Sequence, residues 1–134
     1  MFRVAICDDL EQLKIGHESV ERFFNDHEIS SFEIKEYNDP NILLSDSEQN
    51  WDWDIVLLDV CMPGMLGIDV AKRIKEKSEK TKFIFLSVSR EFAIDAFAVN
   101  VSHYLLKPFA PEEFDEAMNR AIGPLIVNEA IHTA

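Results

Sequence analysis

Asp54-Ile55-Val56-Leu57-Leu58-Asp59 is an apolar run framed by two carboxylates. Its four central residues include no polar side chain, so a strand here is buried on both faces, as in a parallel sheet covered by helices. Phe83-Ile84-Phe85-Leu86 repeats the pattern and ends on Ser87. Phe2-Arg3-Val4-Ala5-Ile6-Cys7 runs into Asp8-Asp9, and His103-Tyr104-Leu105-Leu106 runs into Lys107-Pro108. If these runs are parallel strands of one sheet, their polar endings line one edge. Ligands of open α/β sheets bind outside the carboxyl ends of the strands. Three carboxylates, a hydroxyl and an ammonium then share one crevice, a set of groups suited to a metal ion and a phosphoryl group.

Helical patterns fill the intervals. Leu10, Leu13, Val20, Phe23 and Phe24 share one face, with Gly16 and His17 near it. Gly16 should weaken that helix by about 1 kcal/mol relative to Ala. Residues 32–37 alternate and carry charges, which suits an edge strand. Asp39-Pro40 is a helix-start signal, and the short helix it opens is expected to end near Ser45. A helix over 66–77 turns Ile68, Ala71 and Ile74 inward, and strands are expected at 82–87 and 102–106 with a helix over 91–99 between them. The last helix opens with Pro111-Glu112-Glu113 and carries Phe114, Ala117, Met118, Ala121 and Ile122 at helical spacing. Gly123-Pro124 is expected to stop it. This βαβαβ alternation implies an α/β fold, a doubly wound parallel sheet with helices on both faces. It assigns residues 1–122 to one domain and 123–134 to a C-terminal tail or the start of a linker.

The 134 residues suit a single domain with a sizeable core. With 13 Lys and Arg against 25 Asp and Glu, the formal charge is −12. Such a balance argues against direct nucleic-acid binding or attraction to an anionic membrane. Cys7 and Cys61, the only cysteines, do not make a disulfide framework. The N-terminal apolar stretch meets Asp8 too early for a signal peptide. No apolar run approaches the roughly 20 residues that span a membrane. The expectation is a soluble, cytoplasmic protein.

A hard cation such as Mg²⁺ prefers oxygen ligands. Asp9 and Asp59 at adjacent strand ends supply two carboxylates, with Asp8 acting directly or through water. Without a cation, the three repel and raise one another's pKa values. An aspartate can attack phosphorus and form an acyl phosphate, and Lys107 would neutralise charge on the transferring group. Taken singly, each residue has a plainer reading: Asp8-Asp9 as a helix N-cap, Asp59 and Ser87 as turn residues. Lys107 is sharper, since Lys rarely sits at a buried strand end without a partner. A cis Lys107-Pro108 peptide would aim it inward.

Asp8-Asp9, Asp59 with Met62-Pro63-Gly64-Met65-x-Gly67, Ser87, and Tyr104-x-x-Lys107-Pro108-Phe109 together resemble the receiver domain of two-component response regulators, over about residues 2–122. The resemblance implies a flavodoxin-like (βα)5 sheet of order 2-1-3-4-5. It implies that Asp59 accepts a phosphoryl group from a sensor histidine kinase. Asp8, Asp9 and Asp59 would hold Mg²⁺ with the Cys61 backbone carbonyl, and Ser87 and Lys107 would engage the phosphoryl oxygens. Ser87 and Tyr104 would form the switch, acting on the surface of the fourth helix, fifth strand and last helix. Phe92 to Asn100, followed by Tyr104 to Phe109, is similar to receivers of LytTR-type regulators, whose DNA-binding output is a separate domain. By the same resemblance, Cys61 occupies a variable position that influences acyl-phosphate hydrolysis. Val88 stands where a smaller residue is usual, which narrows access to Asp59.

The helix over 91–99 carries a wide apolar stripe. Phe92, Ala93, Ala96, Phe97 and Val99 cover the core side, and Ile94 and Ala98 extend beyond it. The excess suits a homodimer or effector face. His17, His27, His103 and His132 show no metal-ligand spacing, and His17 reads as a boundary residue. Trp51 and Trp53 read as loop packing, and Leu125-Ile126-Val127 with Ile131 as an apolar tail. Two rival functions stand against the switch. A haloacid dehalogenase-type phosphohydrolase would want an acid/base Asp where this chain has Cys61. A phosphorylation-independent interaction module would have no need of clustered carboxylates.

Overall fold

A computed structural model describes residues 1–98 and 101–133. Five strands form a parallel sheet: β1 (Phe2–Cys7), β2 (Phe32–Tyr37), β3 (Ile55–Asp59), β6 (Lys82–Ser87) and β7 (His103–Leu106), in the order β2-β1-β3-β6-β7. The remaining strands, β4 (Cys61–Met62) and β5 (Met65–Leu66), pair with each other in a small antiparallel ribbon. With that ribbon set aside, the sheet has the expected 2-1-3-4-5 order of a flavodoxin-like fold.

Strand periodicity explains why the central runs are wholly apolar. Val4, Ile6, Ile55, Leu57, Ile84 and Leu86 join one core with α1 (Leu10–Asp26) and α5 (Pro111–Thr133). Their neighbours Ala5, Cys7, Val56, Leu58, Phe83 and Phe85 join a second core with α2 (Pro40–Ser47), α3 (Gly67–Lys77) and α4 (Ala93–Ala98). Successive residues of a strand point to opposite faces, so burying both faces leaves no position for a polar side chain. Each fully buried Leu, Ile or Phe contributes roughly 1.5–3 kcal/mol. β2 pairs only with β1 and keeps its charges at the sheet's edge.

Several local outcomes differ from expectation. Leu10 is 72% exposed; α1 starts just beyond the end of β1, so its first turn has no sheet beneath it, and Leu13 is the first residue of the buried stripe. Gly16 earns its place by packing, since a Cβ there would lie 3.3 Å from Ile6 Cγ2. α2 runs two residues further than expected, to Ser47. The Ser47 hydroxyl donates to the Leu43 carbonyl and accepts from the buried Trp53 indole N–H. α4 starts two residues later than expected, at Ala93, and Val99 and Asn100 lie outside the described residues. Ala96 is buried one turn after the half-buried Phe92, but Phe97 is 76% exposed, because one further residue rotates its side chain about 100° away from the sheet.

The last helix does not stop at Gly123-Pro124; it continues to Thr133 with Pro124 inside it. Two features make this possible. Part of the clash that usually keeps the residue before Pro out of the helical region involves its Cβ, which Gly123 lacks. Pro124 is on an exposed side of the helix, so the carbonyl that loses its helical N–H donor is open to water. Ile126 then packs against the α1/α5 core.

Candidate functional site

The carboxyl ends of β1, β3, β6 and β7 are adjacent, and the register aligns them: Cys7 opposite Leu58, Asp59 opposite Leu86, Ser87 opposite Leu106. Asp8, Asp59, Ser87 and Lys107 therefore share one edge. Asp9 is the N-cap of α1, its Oδ1 accepting from the Gln12 N–H at 2.9 Å. The cap and the charge cluster are thus both real, and Asp9 belongs to both.

Asp8 is 1% exposed. Its Oδ1 accepts from Lys107 Nζ at 2.9 Å and from the Asp9 N–H at 2.8 Å. Its Oδ2 lies 2.7 Å from the same ammonium, yet receives no aligned hydrogen bond. Lys107 Nζ is also 3.4 Å from Asp59 Oδ2, so one buried ammonium serves two carboxylates. The Lys107-Pro108 peptide is cis, and the Lys107 N–H donates to the Ser87 carbonyl at 2.8 Å. Oxygens of Asp8, Asp9 and Asp59 all lie within 4.8 Å of one another. Burial pushes the Asp8 carboxyl up to about 6 from 3.8, with the Asp59 charge adding to it, against the lowering effect of Lys107 and the Asp9 N–H.

Asp59 Oδ1 accepts from the Cys61 N–H at 3.1 Å, which leaves Oδ2 toward Lys107. The residues open onto a cavity of about 760 Å³ lined by Asp9, Asp59, Ser87 and Lys107, with Cys61 and Val88 among the residues of its wall. Both cysteines are free. Cys7 is buried and its thiol is pushed up to about 12 by burial and the neighbouring carboxylates. Cys61 is exposed, and partial desolvation with the nearby Asp59 and Glu91 charges raises its pKa too. Neither thiol has the lowered pKa that redox reactivity requires.

Ser87 is buried, and its Oγ accepts from the Ser89 N–H at 3.1 Å. The Tyr104 hydroxyl donates to the Ser89 carbonyl at 2.7 Å. Ser89 thus joins the two candidate switch residues through its main chain. Sequence reading did not single it out, because a backbone contact leaves no side-chain signature. The available signal was a turn-type Ser between strand and helix, whose Oγ accepts from the Glu91 N–H.

Residues 4–119 match the response regulator receiver domain family. The chain belongs to that family. Among curated proteins, this receiver is 44% identical over 71 residues to the positive alginate biosynthesis regulatory protein of Pseudomonas aeruginosa, covering 53% of this chain and 29% of that protein. It is 39% identical over 74 residues to the sensory transduction protein LytT of Oceanobacillus iheyensis, covering 54% and 30%. The matched stretch therefore spans less than a third of these relatives' length. LytT and LytR proteins among the relatives agree with the resemblance to LytTR-type regulators. Among solved structures, the BeF3-activated DrrB receiver domain superposes with a TM-score of 0.76 at 25% identity, covering 92% of this chain and 98% of that one. A response regulator receiver from Clostridium thermocellum superposes at 0.77 and 22% identity, covering 95% and 98%, and speaks for the fold alone.

Proposed function

We propose that this receiver accepts a phosphoryl group on Asp59 from a phosphohistidine of a sensor histidine kinase. The observation that carries this reading is the placement of Asp59 Oδ2, 3.4 Å from the buried Lys107 ammonium at the base of an open cavity. The Asp59 oxygen attacks phosphorus, the phosphorus–nitrogen bond breaks, and the pair of electrons leaves with the imidazole. An acyl phosphate remains on Asp59. Lys107 balances charge on the phosphoryl oxygens, and the Ser87 hydroxyl donates to one of them once it turns from the Ser89 N–H.

The cluster fits a hard divalent cation. Three carboxylates lie together with one lysine that pairs with only two of them, and a fully buried Asp8 oxygen has no aligned donor. Asp8, Asp9 and Asp59 would hold Mg²⁺ together with the Cys61 carbonyl. Bound there, the ion supplies positive charge that offsets the carboxylates and the incoming phosphoryl group.

Loss of the Ser89 contact to Ser87 frees the segment that also binds Tyr104, which biases the α4-β7-α5 surface between two arrangements. α4 offers that surface an apolar face, with Ile94 84% exposed beside Phe97, for a second copy or an effector. The unit over 1–122 is a switch rather than a turnover enzyme; the haloacid dehalogenase alternative lacks its acid, since position 61 is Cys. Beyond residue 122, α5 carries on to Thr133 with Ile126 still against the α1/α5 core. No helix among the described residues is long and apolar enough to cross a membrane; together with the −12 charge, this supports a cytoplasmic domain that does not itself bind nucleic acid.

Incubation with Mg²⁺ and a small phosphodonor, or with a panel of phosphorylated histidine kinases, tests the reading by intact mass. One phosphoryl group should appear in the wild type and be absent from Asp59→Asn. No gain from any donor would favour a phosphorylation-independent interaction module, and sustained hydrolysis of a phosphate ester would favour the hydrolase.

A further inference from the structure

Gly67 stands apart from the other glycines. A Cβ at Gly16 would meet the Ile6 side chain at 3.3 Å, at Gly64 the Asn41 amide at 3.6 Å, and at Gly123 nothing within 4 Å. At Gly67 it would lie 2.6 Å from the Asp59 carbonyl oxygen, 3.1 Å from Val60 Cα and 3.3 Å from the Asp59 carbonyl carbon. All three are backbone atoms, so no side chain can swing away to make room. Only a residue without Cβ permits so close an approach.

The surrounding bonds couple the Asp59–Val60 peptide to the start of α3, so that a shift of one is passed to the other. The Val60 N–H donates to Leu86 of β6 at 3.1 Å, and the Val60 carbonyl accepts from the Gly67 N–H at 2.8 Å. Between them the β4–β5 ribbon folds back, pairing Cys61 with Leu66, so that the first residue of α3 sits against the peptide of the residue that carries the carboxylate. From there the Cys61 N–H holds Asp59 Oδ1 at 3.1 Å. Lys107 and Ser87, by contrast, hang from β7 and β6 and do not depend on α3.

We infer that Gly67 is a positioning residue: its bare Cα lets α3 close on the Asp59 carbonyl and sets the carboxylate at its distance from Lys107 and Ser87. A methyl group at 67 moves the Asp59 peptide by about half an ångström or more, while the lysine and serine stay where they are. A misplacement near 1 Å costs about 100-fold in a positioned reaction, so the expected loss here is at least about tenfold. This inference rests on the phosphoacceptor reading of Asp59.

The test compares wild type, Gly67→Ala and Val20→Ala. Val20 is buried in the α1/α5 core, so its variant is destabilised without any change near Asp59. Phosphoryl uptake per folded molecule is read by intact mass, and the Cys61 amide resonance by ¹⁵N-correlated NMR in the absence of phosphodonor and metal. Gly67→Ala should take up phosphoryl at least tenfold more slowly than wild type and show a displaced Cys61 amide, with Val20→Ala like wild type in both. Uptake by Gly67→Ala within twofold of wild type overturns the inference. If wild type takes up no phosphoryl group, the phosphoacceptor reading fails, and an unmoved Cys61 amide in Gly67→Ala then overturns the positioning inference separately. Should Gly67→Ala be largely unfolded, 1 M trimethylamine N-oxide favours the folded form and the same readings decide.

Discussion

Replacing Asp8 by Asn is expected to stabilise the metal-free protein at neutral pH, even though it removes half of a buried ion pair. Asp8 is 1% exposed and its carboxyl is pushed up from 3.8 to about 6. Between those pH values the folded chain holds a proton that the unfolded chain has lost, so stability falls as pH rises through this window. Each pKa unit corresponds to about 1.4 kcal/mol, which sets the cost of keeping Asp8 ionised at pH 8 at roughly 3 kcal/mol. Asparagine recovers only part of this. Its amide oxygen can still accept from Lys107 and from the Asp9 N–H, but its NH₂ would face the ammonium that now lies 2.7 Å from Oδ2, and Lys107 must shift. A net gain of about 1–2 kcal/mol at pH 8 remains. With about 2.1 cal/mol/K per residue of unfolding entropy, that is a rise in Tm of roughly 4–7 °C for this length of chain. At pH 5, where wild-type Asp8 is largely protonated when folded, the gain should fall by about 1.4 kcal/mol, to near zero. Urea denaturation of both proteins at pH 8 and pH 5, with chelator present, measures the difference. An Asp8→Asn protein less stable than wild type at pH 8, or a gain undiminished at pH 5, would refute the reasoning.

Lys107→Met leaves the buried Asp8 charge without its cation and should cost about 3 kcal/mol at pH 8; the loss should be smaller at pH 5, as the same denaturation series would show. Mg²⁺ at about 100 times its dissociation constant should stabilise wild type by about 2.7 kcal/mol and Asp59→Asn by much less, read as a metal-dependent Tm shift. Gly64 adopts φ +93, so Gly64→Ala should destabilise by about 1–3 kcal/mol in calorimetry. Phe97→Asp, at a site that makes little contact, should change stability by no more than about 0.5 kcal/mol while abolishing any concentration-dependent dimer seen by light scattering.

The edge of reactive residues was legible because each member ends an apolar run, and strand period, burial on both faces and the crossover rule leave few ways to arrange such runs. The errors fell where local pattern is weakest. Helical periodicity assigned Leu10 and Phe97 to the core, although one lies beyond the end of β1 and the other turns off a helix of six described residues. The Gly-Pro stop signal at 123–124 failed because glycine relieves part of the clash before proline and the lost hydrogen bond falls on an exposed turn.

The order of the chain's chemistry, Asp8-Asp9, Asp59, Ser87, Lys107, is written in the sequence alone, as is the parallel sheet that brings these residues to one edge. Which of the two adjacent aspartates caps α1 and which is buried is a property of the folded chain, since the register of β1 against β3 sets their depth. So is the sharing of one lysine between Asp8 and Asp59, the Ser89 main-chain link between Ser87 and Tyr104, and the pressing of Gly67 on the Asp59 carbonyl. Each depends on distances between segments far apart along the chain or on backbone atoms that every residue has in common, so residue identity cannot encode it and only close packing brings it about.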